Sequence, residues 1–136
     1  MSRRSIFALA LLALMCKDPY DFEPNDPTKP DPPGPPALVA PPDGETIWNY
    51  AYPQDVIFEW QALSGASYYQ FELYSDSSLS PNSLLSTNPK VLDNTLTITF
   101  DHYGRYYWRV RAASRHWNNY TDWSAPFDFS LPNPTQ

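Results

Sequence analysis

Two short stretches crowd aromatic rings among amide and carboxylate groups: Trp48, Tyr50 and Tyr52 in WNYAYPQD, and His116, Trp117, Asn118, Asn119 and Tyr120 in HWNNYTDW. A flat ring can stack on the apolar face of a sugar while neighbouring amides bond its hydroxyls, and the same grouping suits a peptide. Both stretches are therefore binding candidates. The alternative is that these rings close the ends of a core. Groups able to carry catalysis do not gather in this way. His102 and His116 are the two histidines, neither beside a second ligand at zinc spacing, and no nucleophile elbow or metal motif is present. The sequence predicts no enzyme, no metal and no cofactor.

Cys16 is the single cysteine, which excludes an intrachain disulfide and a cysteine-based zinc site. It stands where an apolar run stops. Ser2, Arg3 and Arg4 make a basic start, residues 6–15 are uncharged and rich in Leu and Ala, and Lys17 and Asp18 end the run. That is the layout of a signal peptide over residues 1–15. As a helix the run would reach about 15 Å, half of a hydrocarbon core of about 30 Å, too short to span it. Ala13-Leu14-Met15-Cys16 resembles the lipobox of bacterial lipoproteins, with Met15 where that pattern carries a small residue. The resemblance implies lipidation of Cys16, palmitate included, and a lipid-anchored place in the cell envelope, at the outer membrane or cell surface. Lys17-Asp18 with Asp21 and Glu23 is similar to the charged surface-export signals of some Bacteroidetes lipoproteins.

Residues 16–36 form an acidic, proline-rich linker without apolar periodicity, expected to be an extended, partly polyproline II tether reaching up to about 60 Å. The formal charge of −6 includes two arginines of the leader. The processed chain is more acidic still, which argues against nucleic acid as a partner.

The elements that must position the two ring-rich stretches follow in residues 37–132, with a short tail over 133–136. Alternating runs recur at spacings near ten residues between turn signals, the pattern of an all-β sandwich. Val56, Phe58 and Trp60 alternate with Ile57 and Glu59, and Tyr69, Phe71 and Leu73 with Gln70 and Glu72. Leu96, Ile98 and Phe100, then Tyr106, Trp108, Val110 and Ala112, and finally Phe127, Phe129 and Leu131 complete the inward set. Residues 84–87 read as a short strand whose edge would be open to another chain.

Pro41-Pro42-Asp43-Gly44, VIFEW at 56–60, GASYY at 65–69, GRYYWRVRA at 104–112 and Asp122-Trp123-Ser124 together resemble the fibronectin type III domains of bacterial extracellular proteins. The resemblance implies a seven-stranded fibronectin type III/immunoglobulin-like sandwich used for adhesion, ligand presentation or spacing, with the two ring-rich loops at opposite ends. It also implies a structural ladder of Arg109, Arg111 and Trp123, similar to that of cytokine-receptor sandwiches, and a tyrosine corner at Tyr106. Trp60 is expected to fill the core. The function expected is that of a noncatalytic envelope lipoprotein presenting its sandwich to a protein partner, with a carbohydrate-binding accessory module as the alternative.

Overall fold

The computed structural model describes residues 22–135. The expected leader and Cys16, the expected lipidation site, lie outside them. Eight strands form in the order β1 (Leu38–Ala40), β2 (Glu45–Thr46), β3 (Gln54–Trp60), β4 (Tyr68–Tyr74), β5 (Leu84–Val91), β6 (Thr95–Phe100), β7 (Gly104–Ala113) and β8 (Phe127–Leu131). They make a three-stranded sheet, β1-β3-β6, and a five-stranded sheet, β2-β8-β7-β4-β5.

Strict alternation builds the contact between the sheets. Val56, Phe58 and Trp60 on β3 face Phe71 and Leu73 on β4 and Trp108 and Val110 on β7, all buried, while Asp55, Ile57 and Glu59 are exposed. A side-chain period of two on each strand is what a sheet buried on one face requires. Phe58 lies at the centre, its ring 4.9 Å from Phe71, 5.0 Å from Trp108 and 5.7 Å from Phe129 by centroids, each pair edge to face. That geometry sets the positive ring edge against the negative ring face. Leu96 and Ile98 point inward as expected but are only partly buried, because β6 is an edge strand.

The count of eight strands, where the sequence predicts seven, has a local cause. The first strand divides: β1 pairs antiparallel with β3, the chain crosses at Pro41-Pro42-Asp43-Gly44, and β2 pairs parallel with β8 in the other sheet. Asp43 and Gly44 secure the crossing. The Asp128 amide donates to Asp43 Oδ1 at 2.9 Å, the Gly44 amide donates to the Asp128 carbonyl at 2.8 Å, and Gly44 takes a φ of 79°, a region open to glycine. The strand expected at 84–87 is longer, running over Leu84–Val91 with Pro89 inside it.

Tyr106 forms the expected corner, its hydroxyl donating to the His102 carbonyl at 2.7 Å. Burial raises its pKa above the ordinary tyrosine value of 10.0. A raised folded-state value means that the stabilisation is complete below about pH 10 and is lost as the pH climbs through the folded pKa. Tyr106→Phe should cost about 1 kcal/mol, a fall of roughly 4–8 °C in melting temperature. It should also flatten the alkaline limb of a stability-against-pH curve, and thermal melts at neutral and alkaline pH check both.

Candidate functional site

The two ring-rich loops meet different fates, decided by what packs against each. The loop between β7 and β8 sits at the end of the sandwich where β3 finishes and β4 begins. There Trp117 turns inward and is only 7% exposed. Gly65, with a φ of 85°, brings the connection between β3 and β4 against it: a Cβ built on Gly65 would stand 3.8 Å from Trp117 Cζ2. Trp117 is thus a core residue closing this end and does not offer a ring to a ligand, contrary to its place among the binding candidates. The signal missed was the small, turn-forming Ser64-Gly65-Ala66 that leaves room for the indole.

The rest of that loop is covered by the chain's own N-terminal segment. The Asp26 amide donates to the Asn118 carbonyl at 3.1 Å and the Asn118 amide to the Pro30 carbonyl at 2.8 Å. Asn118 Nδ2 donates to Asp31 Oδ1 at 2.6 Å and Asn119 Nδ2 to Asn25 Oδ1 at 3.0 Å. Phe22 meets the Tyr120 ring edge to face at 4.4 Å. The amides and the ring that were candidates for a ligand are spent on residues 22–31, and His116 is the exposed member of the group. A polar cleft of about 410 Å³ remains between the two segments, lined by Asn25, Asp26, Asp31, Asn118 and Asn119. Residues 22–31 therefore lie on the body rather than extending from it as the expected tether.

This docking extends a ladder on the outer face of the larger sheet. Arg111 stands 3.9 Å from the Tyr120 ring centroid and 4.6 Å from that of Trp123, and Arg109 stands 4.3 Å from Trp123 and 5.5 Å from Tyr74. The order along the face is Phe22, Tyr120, Arg111, Trp123, Arg109, Tyr74. Both cations are also held in the plane of the sheet. Arg109 donates through Nε and Nη2 to Glu72 Oε1 at 2.9 and 2.8 Å, and Arg111 Nε donates to Gln70 Oε1 at 2.7 Å. Burial lowers the Arg111 pKa from its ordinary value, and a partly dehydrated cation gains more from the rings beside it.

Arg109, Arg111 and Trp123 match the ladder expected, whereas Tyr120 was expected in a ligand site and is a rung. Trp123 is placed by two side chains to which the sequence pattern assigned no role, Ser124 of the Asp122-Trp123-Ser124 motif and Thr121. Ser124 Oγ accepts from the Val110 amide and Thr121 Oγ1 from the Ala112 amide, each at 3.0 Å, so the segment before β8 is pinned along β7.

The other loop joins β2 to β3 at the opposite end. Trp48 is 73% and Tyr50 45% exposed, with centroids 6.5 Å apart and planes inclined at 41°. Asn49 lies between them, its Oδ1 accepting from the Ala51 amide at 3.1 Å. Tyr52 instead folds down, its hydroxyl donating to the Pro132 carbonyl at 2.8 Å. Of the candidate rings, Trp48 and Tyr50 remain open to a ligand. Among the described residues, no three His, Cys, Asp or Glu side chains gather where they could hold a metal, and no helix is long and apolar enough to cross a membrane.

The strand after β4 stays in the larger sheet, pairing with β4 on its free side, and does not cross to β6 as in a constant-type immunoglobulin sandwich. The body is a fibronectin type III-like sandwich. Among solved structures, this sandwich is similar to an Fn3-like protein from Clostridium thermocellum, with 21% identity, a TM-score of 0.48 and coverage of 74% of this chain and 94% of that one. It is also similar to the fibronectin type-III domain of human fibronectin type III domain containing protein 3, with 18% identity, a TM-score of 0.43 and coverage of 75% and 90%. No family model matches the chain, and no curated protein does.

Two substitutions separate the roles of these rings. Trp117→Ala should lose about 3–5 kcal/mol of stability, the cost of a cavity in a core, read by denaturant unfolding. Phe22→Ala should leave the sandwich folded while the amides of Asp26 and Asn118, bonded across the docked segment, exchange with solvent roughly tenfold faster.

Proposed function

We propose that the chain is a noncatalytic, lipid-anchored envelope protein that presents its sandwich to a protein partner through the end carrying Trp48 and Tyr50. The observation that carries this reading is the polarity of the sandwich. Residues 22–31 dock at one end, and the exposed ring pair stands at the other, one strand length away, about 20 Å. Phe22 follows Cys16 by six positions, a reach of at most about 20 Å. With Cys16 lipidated, the docked segment keeps its own end of the sandwich near the membrane and turns Trp48 and Tyr50 outward. The anchor then sets orientation more than distance.

Exposed aromatic rings at a loop tip suit a protein partner because a Trp or Tyr buries a large area on contact at small entropic cost. A glycan is the second reading, supported by the open face of Trp48 beside Asn49. The 41° inclination between the rings favours stacking on one ring at a time over a two-ring platform.

The test is capture from a membrane-protein extract with the whole chain, beside a glycan array, using the native protein and Trp48→Ala. A defined protein complex lost in Trp48→Ala, with an unchanged melting temperature, is the expected result. A ring-dependent sugar signal without a protein complex would move the function to the glycan reading, and neither signal would remove both.

A further inference from the structure

The four sheet edges are not equally protected. On the smaller sheet, β1 has three residues bracketed by Pro35-Pro36 and Pro41-Pro42, and on the larger one β2 has two residues. β5 carries Pro89, and its register against β4 breaks twice. Short length, proline and bulges are the devices by which a sheet edge is closed to strangers. β6, Thr-Leu-Thr-Ile-Thr-Phe, has none of them: six residues, no proline, no charge and an unbroken register with β3 from Thr95 to Phe100.

Its open groups can be assigned. The Trp60 amide donates to the Asn94 carbonyl at 3.1 Å, so in the antiparallel ladder the pairs Phe58–Leu96 and Val56–Ile98 are the bonded ones. Thr95, Thr97 and Thr99 occupy the alternate positions, and their backbone N–H and C=O groups face away from β3. Among the described residues, no strand pairs with β6 on that side. Directly beside this edge, where the two sheets part, is an apolar groove of about 230 Å³ lined by Leu73, Leu85, Ile98, Phe100 and Tyr106.

On the smaller sheet and at the two ends of β6 the carboxylates dominate, the nearest lysine in sequence being Lys90 on β5. Asp93 and Asp101 stand at the two ends of β6, Asp55 and Glu59 lie on the outer face of β3, and no Lys or Arg occurs on β1, β3 or β6. We infer that β6 accepts an extended segment of another protein by strand addition, one with alternating β-branched residues and basic residues at its ends. Its inward side chains enter the groove beside Ile98, and its basic ends meet Asp93 and Asp101. A second copy of this chain suits the edge less well: pairing Thr97 with Thr97 sets Asp93 opposite Asp101 of the other copy, like against like. The inference rests on the interaction reading and assigns it a second surface, distinct from Trp48 and Tyr50.

The experiment titrates the whole chain with the peptide Lys-Thr-Val-Thr-Val-Thr-Val-Lys and with its counterpart ending in Glu, following backbone amide exchange and affinity. The amides of Thr95, Thr97 and Thr99 should gain protection, and the lysine-ended peptide should bind roughly tenfold tighter at low salt. Thr97→Pro removes one outward N–H without touching a bond to β3 and should weaken binding roughly tenfold. Thr97→Lys, which places a like charge at the edge, should do the same by a different route and guards against misfolding of the proline variant. Unprotected threonine amides, equal affinity for the two peptides, or unchanged binding by both variants would overturn the inference. So would protection of the same amides by self-association without peptide, which would make the edge a contact between copies. Failure here with the Trp48-dependent complex still forming removes the β6 surface alone; failure of both removes the interaction reading as well.

Discussion

Everything in this molecule hangs on the edge-to-face packing of rings between two sheets, with Phe58 at the centre. The chain has one cysteine, so no intrachain disulfide joins the sheets. The burden falls on buried area and ring geometry. Trp60, Phe71, Trp108 and Phe129 are fully buried around Phe58, and each large apolar side chain contributes about 1.5–3 kcal/mol on burial. Trp117 extends that cluster to one end of the sandwich. This is why a tryptophan in a loop rich in Asn behaves as core: the connection between β3 and β4 passes close enough for the ring to gain more from burial than from display.

The outer face of the larger sheet is organised by a second principle, alternation of cation and ring. Arg109 and Arg111 project from β7 and stack on Trp123, while Glu72 and Gln70 on β4 hold the guanidinium groups by hydrogen bonds. Each cation is thereby satisfied in two directions, in the plane of the sheet and perpendicular to it. Tyr120 and Phe22 add two more layers and carry the ladder into the N-terminal segment. A proline-rich stretch has little conformational freedom to lose, so a few hydrogen bonds and one ring contact are sufficient to hold it against the body.

The result is a sandwich with unlike ends and unlike edges. One end is closed by Trp117 and the docked segment. The other leaves Trp48 and Tyr50 in solvent, and large exposed rings side by side are uncommon unless something uses them. Of the edges, β1, β2 and β5 are shortened, bulged or interrupted by proline, whereas β6 stays regular and uncharged. These asymmetries give the fold directions in which to present itself.

The sequence by itself determined an all-β sandwich and the inward face of nearly every strand, because these depend on local periodicity, which is written in neighbouring residues. The tyrosine corner and the Arg109, Arg111, Trp123 ladder came from the resemblance of its motifs to fibronectin type III domains. What only the tertiary structure decided depends on meetings between distant segments. Trp117 and Trp48 look alike in sequence, each a tryptophan beside asparagine in a loop, and differ because Gly65 lies against one while the other has open solvent. Residues 22–31 read as a tether because their composition forbids a core of their own, yet Asn118, Asn119 and Tyr120 supply partners nearly a hundred positions away. The division of the first strand into β1 and β2 was equally hidden, since a short segment pairs with whichever edge the rest of the fold brings to it.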